Sequence, residues 1–372
     1  MSGRRETSVA VIGGGLVGVA VALGLCWRGH DVTIFDEGDV AFRASRGNFG
    51  LVWVQSKGVE MPDYARWTRR SVALWPEFAR RIGEISGKSP ELSQPGGLTL
   101  YLSDDEAEAA VGRLSRLRDR LGGDYPFEYL GHNALKSLVP AIGPEVVGAT
   151  FHAEDGHVNP LYLLRGIYAA FRQAGGALAA GASVDGITRE GGFFRIRQGD
   201  AIWTAERVVL CAGLGNARLA PMVGLDAPVE PNRGQVLITE KVGPFLDIPT
   251  VQVRQTGEGA VQIGDSKEDV GMDDGTRPEV VAGIARRAVR QFPVLEDVRV
   301  VRSWGALRVM SPDGHPVYDR STSHPGAFVV NCHSGVTLAA AHAEQLAAWI
   351  LDEPVEQNLE VFSARRFQSD AA

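Results

Sequence analysis

"VAVIGGGLVGVAVALGLCWRGHDVTIFDEGD", residues 9–39, decides the fold. Residues 9–12 read as a short buried strand, and 16–27 is apolar at helical spacing, interrupted only by Gly18 and Gly24. The glycines between the two runs complete a strand, a turn and a helix. Gly13, Gly15 and Gly18 spell G-x-G-x-x-G, in which the first glycine makes the tight turn, the second admits a phosphate to the backbone, and the third lets helix pack on strand. The helix N-terminus faces that phosphate. A second strand, 32–35, ends in Asp36, where a ribose hydroxyl needs an acceptor. The residues expected to touch a dinucleotide here are Gly13, Gly15, Leu16, Val17, Gly18, Asp36 and Glu37. The motif alone does not choose between NAD and FAD, but the Asp36 carboxylate disfavours NADP by repelling a 2′-phosphate.

At 372 residues the chain is long for one core, so two domains are expected. Its 38 basic and 45 acidic residues give a net charge of -7 without any Lys/Arg-rich block, which excludes nucleic acid as an expected partner. No apolar run reaches transmembrane length. The opening "MSGRRETSVAVIGGG" passes from a few polar residues straight into the first strand, leaving no room for a signal peptide, so a cytoplasmic location is expected. Cys26, Cys211 and Cys332 lie far apart in apolar contexts and without metal-ligand spacing, as small buried hydrophobes do.

Beyond the first motif, residues 40–58 form a loop rich in small residues, followed by a strand-like stretch. The pattern then predicts a helix over 62–85, a strand over 97–103, and a charged amphipathic helix over 104–121 with Ser103 as its N-cap. A turn at Asn159 and Pro160 opens a helix over 161–174 that stops at Gly175 and Gly176. "FFRIR" and "AIWTAERVVLCAG" form a hairpin, and the apolar end "VVLCAG", 208–213, is the kind of strand end that lies against a cofactor. Period-two alternation within 229–264 predicts an antiparallel sheet in a second domain, followed by a helix over 278–291 and a strand over 298–310. The last element, 331–351, reads as a strand end, a turn and a helix of about five turns.

Four separated pieces together resemble the D-amino acid oxidase and glycine oxidase superfamily of FAD-dependent oxidoreductases. They are the G-x-G-x-x-G with its acid, "SRGNFG" at 45–50, "VVLCAG", and the pair "WGALRVMSPDGHPV" and "NCHSGVTLAAA". The resemblance implies an α/β fold: a discontinuous Rossmann-like FAD-binding domain (1–75, 140–220 and 305–372) and an α+β substrate domain on an antiparallel sheet (76–139 and 221–304). It implies noncovalent FAD contacts from Ser45, Arg46, Gly47, Asn48, Val184, Ala212 and Gly213, with Cys332 as the residue that could instead attach the flavin. It also implies that Ser334, Gly335, Val336, Thr337 and Leu338 present backbone amides to the flavin and stabilise its reduced, anionic form.

Arg308 matches the arginine that binds the substrate carboxylate, although Val309 stands where the family often has proline. His333 either faces substrate or serves as a hydrogen-bonded turn residue, and Trp53, Gln55 and Tyr64 are candidates for the substrate wall. "SRGNFGLVWVQSKG" and "GDSKEDVG" resemble more narrowly the FAD-carrying subunits of dye-linked dehydrogenases acting on D-hydroxyproline or opines, whose electrons leave through partner subunits. The implied substrate is an amino acid-like molecule with a carboxylate, oxidised to an imine by hydride transfer. The alternatives are an oxygen-using oxidase of the glycine, D-amino acid or sarcosine type and a noncatalytic FAD-holding subunit. Gln262 takes the place of a lysine found in sarcosine oxidases.

Overall fold

In the computed structural model, which describes residues 5–38 and 44–368, the glycine-rich stretch forms β1 (Glu6–Ile12), a turn, α1 (Leu16–Cys26) and β2 (Val32–Asp36). Residues 40–43 of the expected cover loop lie outside the described residues. A short β3 (Leu51–Val52) leads to α2 (Pro62–Ser86), which starts with proline and stops where Gly87 turns left-handed at φ 67°. β4 (Gly97–Tyr101) precedes α3 (Asp104–Arg120), which Ser103 caps by accepting from Glu106 N at 3.3 Å. β5 (Glu128–Gly131), α4 (His132–Leu138), β6 (Gly148–His152) and β7 (Gly156–His157) follow. Asn159 caps α5 (Pro160–Gln173) by accepting from Leu161 N and Tyr162 N, both at 3.2 Å. Then come β8 (Ala177–Ala180), β9 (Val184–Glu190), β10 (Phe193–Gln198), β11 (Ala201–Leu210) and the short α6 (Asn216–Leu219). The chain continues through β12 (Glu230–Lys241), β13 (Val253–Gln255), β14 (Ala260–Gly264), α7 (Pro278–Gln291), β15 (Val300–Met310), β16 (Val317–Arg320) and β17 (Ala327–Asn331).

An eight-stranded sheet runs β16-β17-β11-β1-β2-β8, with β10 paired to β11 and β9 to β10. β1 is parallel to both β2 and β11, which explains why Val9, Ala10 and Val11 are all fully buried. α1 is apolar all round because it too is buried, packing Val19 and Leu23 into one core with Trp67, Trp75 and Phe78 of α2 and Leu346. The second unit is antiparallel as expected: a four-stranded sheet β13-β14-β12-β15 and a three-stranded sheet β4-β6-β5. Leu98, Leu100, Leu237, Val253, Ile263 and Phe292 share its core. β6 falls inside the 140–220 span assigned above to the FAD-binding domain, yet its hydrogen bonds go to β4 and β5, in the antiparallel part.

The final helix is shorter than expected. Ala339–Ala341 and Ala347–Ile350 are α-helical and flank a π-helical segment, His342–Leu346. Ahead of Ala339, residues 334–338 form a single turn closed by Leu338 N to Ser334 O at 3.0 Å, while Ser71 Oγ and Trp75 Nε1 donate to the Thr337 carbonyl at 2.7 and 2.9 Å and Ala341 N turns to Ser71 Oγ at 3.2 Å. Gly24 lets α1 meet the widened segment at Ala343 O, where a Cβ would collide. No helix among the described residues is long and apolar enough to cross a membrane.

Candidate active site

Two of the three motif glycines stand where a side chain would collide with backbone. Gly13 sits at φ 107°, where a Cβ would lie 2.5 Å from Cys211 O, and a Cβ on Gly18 would strike the Gly13 carbonyl. Leu16 N donates to Ser45 Oγ at 2.8 Å, with a Cβ on Gly15 only 3.0 Å from the same hydroxyl. Asp36 at the end of β2 accepts from Gly14 N at 2.7 Å and Gly38 N at 2.8 Å, so both of its oxygens fix the turn. Glu37 is exposed and accepts from Ser183 Oγ at 2.6 Å. Val184 is buried at the start of β9, its carbonyl accepting from Arg218 Nη2 at 2.8 Å. Ala212 N donates to Asn216 Oδ1 at 3.0 Å, and Gly213 at φ 58° lies against Val309.

The "SRGNFG" loop is fastened from the second unit. Trp304 Nε1 on β15 donates to Gly47 O at 3.1 Å, Gln262 Nε2 on β14 to Asn48 O at 3.3 Å, and Arg254 Nε on β13 to Phe49 O at 2.5 Å. Three successive carbonyls are thus held by side chains from three strands. Arg254 is buried at 3% exposure and also donates to Gln262 Oε1 at 2.5 Å; among the described residues no carboxylate pairs with it, and burial pushes its guanidinium down to about 10. Asn48 Oδ1 accepts from Gly50 N at 2.7 Å, and Arg46 is exposed.

The turn 334–338 meets the N-terminus of α1, where Gly335 faces Val17. Thr337 Oγ1 accepts from Trp53 N at 3.2 Å and donates to Leu51 O at 3.1 Å, tying this turn to the segment after β3. Among the described residues the amides of Gly335, Val336 and Thr337 meet no acceptor, and the Trp53 indole Nε1 is buried without a partner. Trp53 packs on Gly97, where any Cβ would strike its ring. Burial pushes the Cys332 thiol up to about 12, which leaves it protonated and a poor nucleophile.

Arg308 reaches from β15 across Gly234 of the neighbouring β12. Its Nη1 donates to Asn232 Oδ1 at 3.0 Å, and its Nη2 donates to Ser266 O at 2.9 Å and pairs with Asp265. Asp265 is exposed, so this ion pair sits at a solvent-facing edge. Opposite in kind is Ser334 Oγ, which accepts from Lys57 Nζ at 2.8 Å and from Tyr64 OH at 2.9 Å and lies 3.4 Å from His333 Nδ1. Burial, then the charge of Lys267, pushes Lys57 down to about 8. Burial holds His333 well below the usual histidine range, assisted by Lys57, Arg308 and Lys267, so the imidazole is neutral near pH 7.

Sequence reasoning named Arg308, His333, Trp53 and Tyr64, and the fold brings Tyr64 and His333 to Ser334 and Trp53 to Thr337. Gln55 is different: its amide is spent on a buried network, donating to Asp155 Oδ2 at 2.8 Å and Gly97 O at 3.0 Å and accepting from Thr150 Oγ1 at 2.7 Å, so it does not line the wall. Lys57, Arg254 and Trp304 were missed. The lysine of "WVQSKG" was the available signal for the first, while the other two emerge only from strand register.

A glycine turn crowded against its own backbone at Gly13 and Gly18, an acid at the end of β2 and three amides lacking acceptors suit a dinucleotide with a carbonyl-bearing ring system, and the residues present fit FAD. Fold and site therefore define a two-unit oxidoreductase of the dinucleotide-binding class. The family described as "FAD dependent oxidoreductase" matches residues 8–349, and the chain belongs to it. An opine oxidase subunit of Agrobacterium tumefaciens (strain Ach5) is 43% identical over 369 residues, covering 99% of each chain, and its namesake from Rhizobium meliloti is 41% identical over 370 residues, again 99% of each. The crystal structure of glycine oxidase from Geobacillus kaustophilus superposes with a TM-score of 0.90 at 24% identity, covering 96% of this chain and 98% of its own. The sequence resemblance and the α/β fold expectation are both borne out.

Proposed function

We propose that the chain oxidises the C–N bond of an amino acid or N-substituted amino acid, of the opine or D-hydroxyproline kind, to an imine and hands the electrons to a partner subunit or other acceptor. The observation that carries this reading is Arg308, a guanidinium braced by Asn232 and Ser266 O and paired with an exposed carboxylate that a substrate carboxylate can replace. FAD, when bound, supplies the two-electron acceptance, and the chain supplies binding and orientation. Arg308 fixes the carboxylate, and with it the direction of the Cα–H bond. His333 stays neutral, and burial pushes the Tyr64 hydroxyl far above its ordinary value, so neither is a strong base near pH 7. The amine accordingly binds in its neutral form. The Gly335, Val336 and Thr337 amides stand ready to stabilise negative charge on a reduced ring.

Two observations support an acceptor other than oxygen. Both opine oxidase relatives are named as one subunit of that enzyme, and Gln262, in the place of the sarcosine oxidase lysine, is tied to Arg254 and Asn48. The test is anaerobic bleaching of the bound flavin with D-hydroxyproline, an opine and D-alanine, followed by air. Bleaching that persists for minutes in air is expected; rapid recolouring with peroxide makes the chain an oxidase, and no bleaching with any of them overturns the proposal.

A further inference from the structure

We propose that Asp265 is an exchange partner for Arg308: its carboxylate steps aside for the carboxylate of an incoming ligand and returns to the guanidinium as that ligand leaves. This rests on the amine-oxidation reading above and adds how that site takes up and releases what it binds.

Residues 265–277 leave β14 and run back across β12 as a strap that is fastened from Ser266 onward. Gln235 N donates to Ser266 Oγ at 3.0 Å, Arg233 and Glu268 exchange backbone bonds at 2.9 and 3.0 Å, and Asn232 Nδ2 donates to Asp269 at 2.7 Å. The Arg233 side chain, with no exposure, holds Glu268 at 2.8 Å and Asp273 at 2.6 Å. Breaking a buried pair of this kind is costly, so the strap stays closed on β12. Asp265 stands just ahead of these fastenings. Its side chain is 43% exposed, and its described contact is the ion pair with Arg308 Nη2.

The surroundings of Arg308 divide aiming from neutralising. Asn232 Oδ1 and Ser266 O hold the guanidinium at 3.0 and 2.9 Å, and both belong to segments that the Arg233 network fixes. These two acceptors are uncharged, so they set its direction and leave its charge unmatched. Asp265 matches the charge and is not needed for the direction. A turn of its side chain into solvent therefore frees a place on Nη2 while the rest of the clamp keeps its geometry, and water takes up the released carboxylate. A ligand carboxylate that takes the place exchanges one ion pair for another. On departure the reverse exchange spares a guanidinium only 16% exposed from being left without a counter-charge. The competition weakens apparent affinity by the fraction of time that Arg308 is free of Asp265, and it hastens release.

The probe is pyrrole-2-carboxylate, with pyrrole-2-carboxamide as its uncharged counterpart, read by the flavin spectrum of the FAD-loaded full-length protein at equilibrium and in stopped flow. Asp265→Asn keeps size and removes charge. It should bind the carboxylate about twofold to tenfold tighter, mostly through slower dissociation, and the carboxamide should gain less. Raising salt from about 0.05 to 0.5 M should weaken the carboxylate more in Asp265→Asn than in the parent, where pairs are exchanged and none is gained. Asp265→Glu should stay near the parent. Asp274→Asn removes a carboxylate of the same strap that no described contact joins to Arg308, and should change neither rate nor affinity by as much. Unchanged or weaker carboxylate binding in Asp265→Asn, an equal gain for the carboxamide or in Asp274→Asn, or no spectral response to the carboxylate in any of these proteins overturns the exchange. Tighter carboxylate binding in Asp265→Asn without bleaching by any amine keeps the exchange and refutes the oxidation reading; bleaching by an amine with carboxylate affinity unchanged in Asp265→Asn does the reverse.

Discussion

Gly234→Ala tests the proposed carboxylate clamp without touching its charge. Gly234 lies on β12 two residues beyond Asn232, the register partner of Arg308, and the arginine side chain crosses diagonally over it. A Cβ there would lie 2.6 Å from Arg308 Cζ and 2.8 Å from Nη1, against 3.4–4 Å for ordinary contact. The guanidinium must therefore retreat by roughly 1 Å, a displacement that costs up to about a hundredfold at a reacting centre. Retreat also lengthens the bonds to Asn232 Oδ1 and Ser266 O, each charge-assisted contact being worth about 1.5–3 kcal/mol. We expect anaerobic stopped-flow reduction by whichever amine bleaches the flavin to show a tenfold to hundredfold weaker apparent Kd and a slower limiting rate (about 1.4 kcal/mol per factor of ten). FAD content and the thermal midpoint should change little, because the position is a regular strand site. An unchanged Kd in a folded, FAD-loaded variant would refute the assignment of Arg308.

Two further outcomes follow from buried groups elsewhere in the site. Arg254→Met leaves the Phe49 carbonyl and Gln262 Oε1 without their donor, at about 1–3 kcal/mol for each buried group, and should weaken FAD retention at least tenfold as read by the fluorescence of released flavin; retention equal to the parent would show that this bond does not hold the loop. Asp155 is fully buried, and desolvation pushes its carboxyl from 3.8 up to about 7 despite donors from Val54 N and Gln55. The folded chain thus holds this proton more tightly than the unfolded one, and its contribution, at most about 4 kcal/mol, is complete below the ordinary carboxyl value and lost as pH rises through 7. Urea midpoints should therefore fall between about pH 5 and pH 8. Asp155→Asn should flatten that slope, and an identical slope in the variant would count against the assignment.

Much of this molecule is legible in its sequence where the signal is local. The helix over 278–291 coincides with α7, the Ser103 cap forms as read and the turn at Asn159 and Pro160 opens α5, because capping and periodicity are settled within one turn of chain. The glycine turn is legible for the same reason. The last helix reads too long because the tertiary bonds of Ser71 and Trp75 to this segment leave no mark on the helical pattern of "GVTLAAAHAEQ". Gln55 looked like a wall residue by its neighbours, but its amide turns inward to Asp155, a hundred residues away in the chain. Arg254, Gln262 and Trp304 stand on three strands separated by loops, and only the register of a folded sheet reveals that they serve one short segment.

That segment has an implication for protein engineering. Its carbonyls at 47, 48 and 49 are gripped from β15, β14 and β13, so the antiparallel sheet, to which the proposed function gives the substrate, is also the fastener of the loop proposed to hold the flavin. Grafting a foreign substrate sheet onto this Rossmann-like scaffold to change specificity will transplant the fastener as well. A chimera keeps its yellow colour only if the donor sheet brings an arginine, a glutamine and a tryptophan, or their hydrogen-bonding equivalents, in the same register.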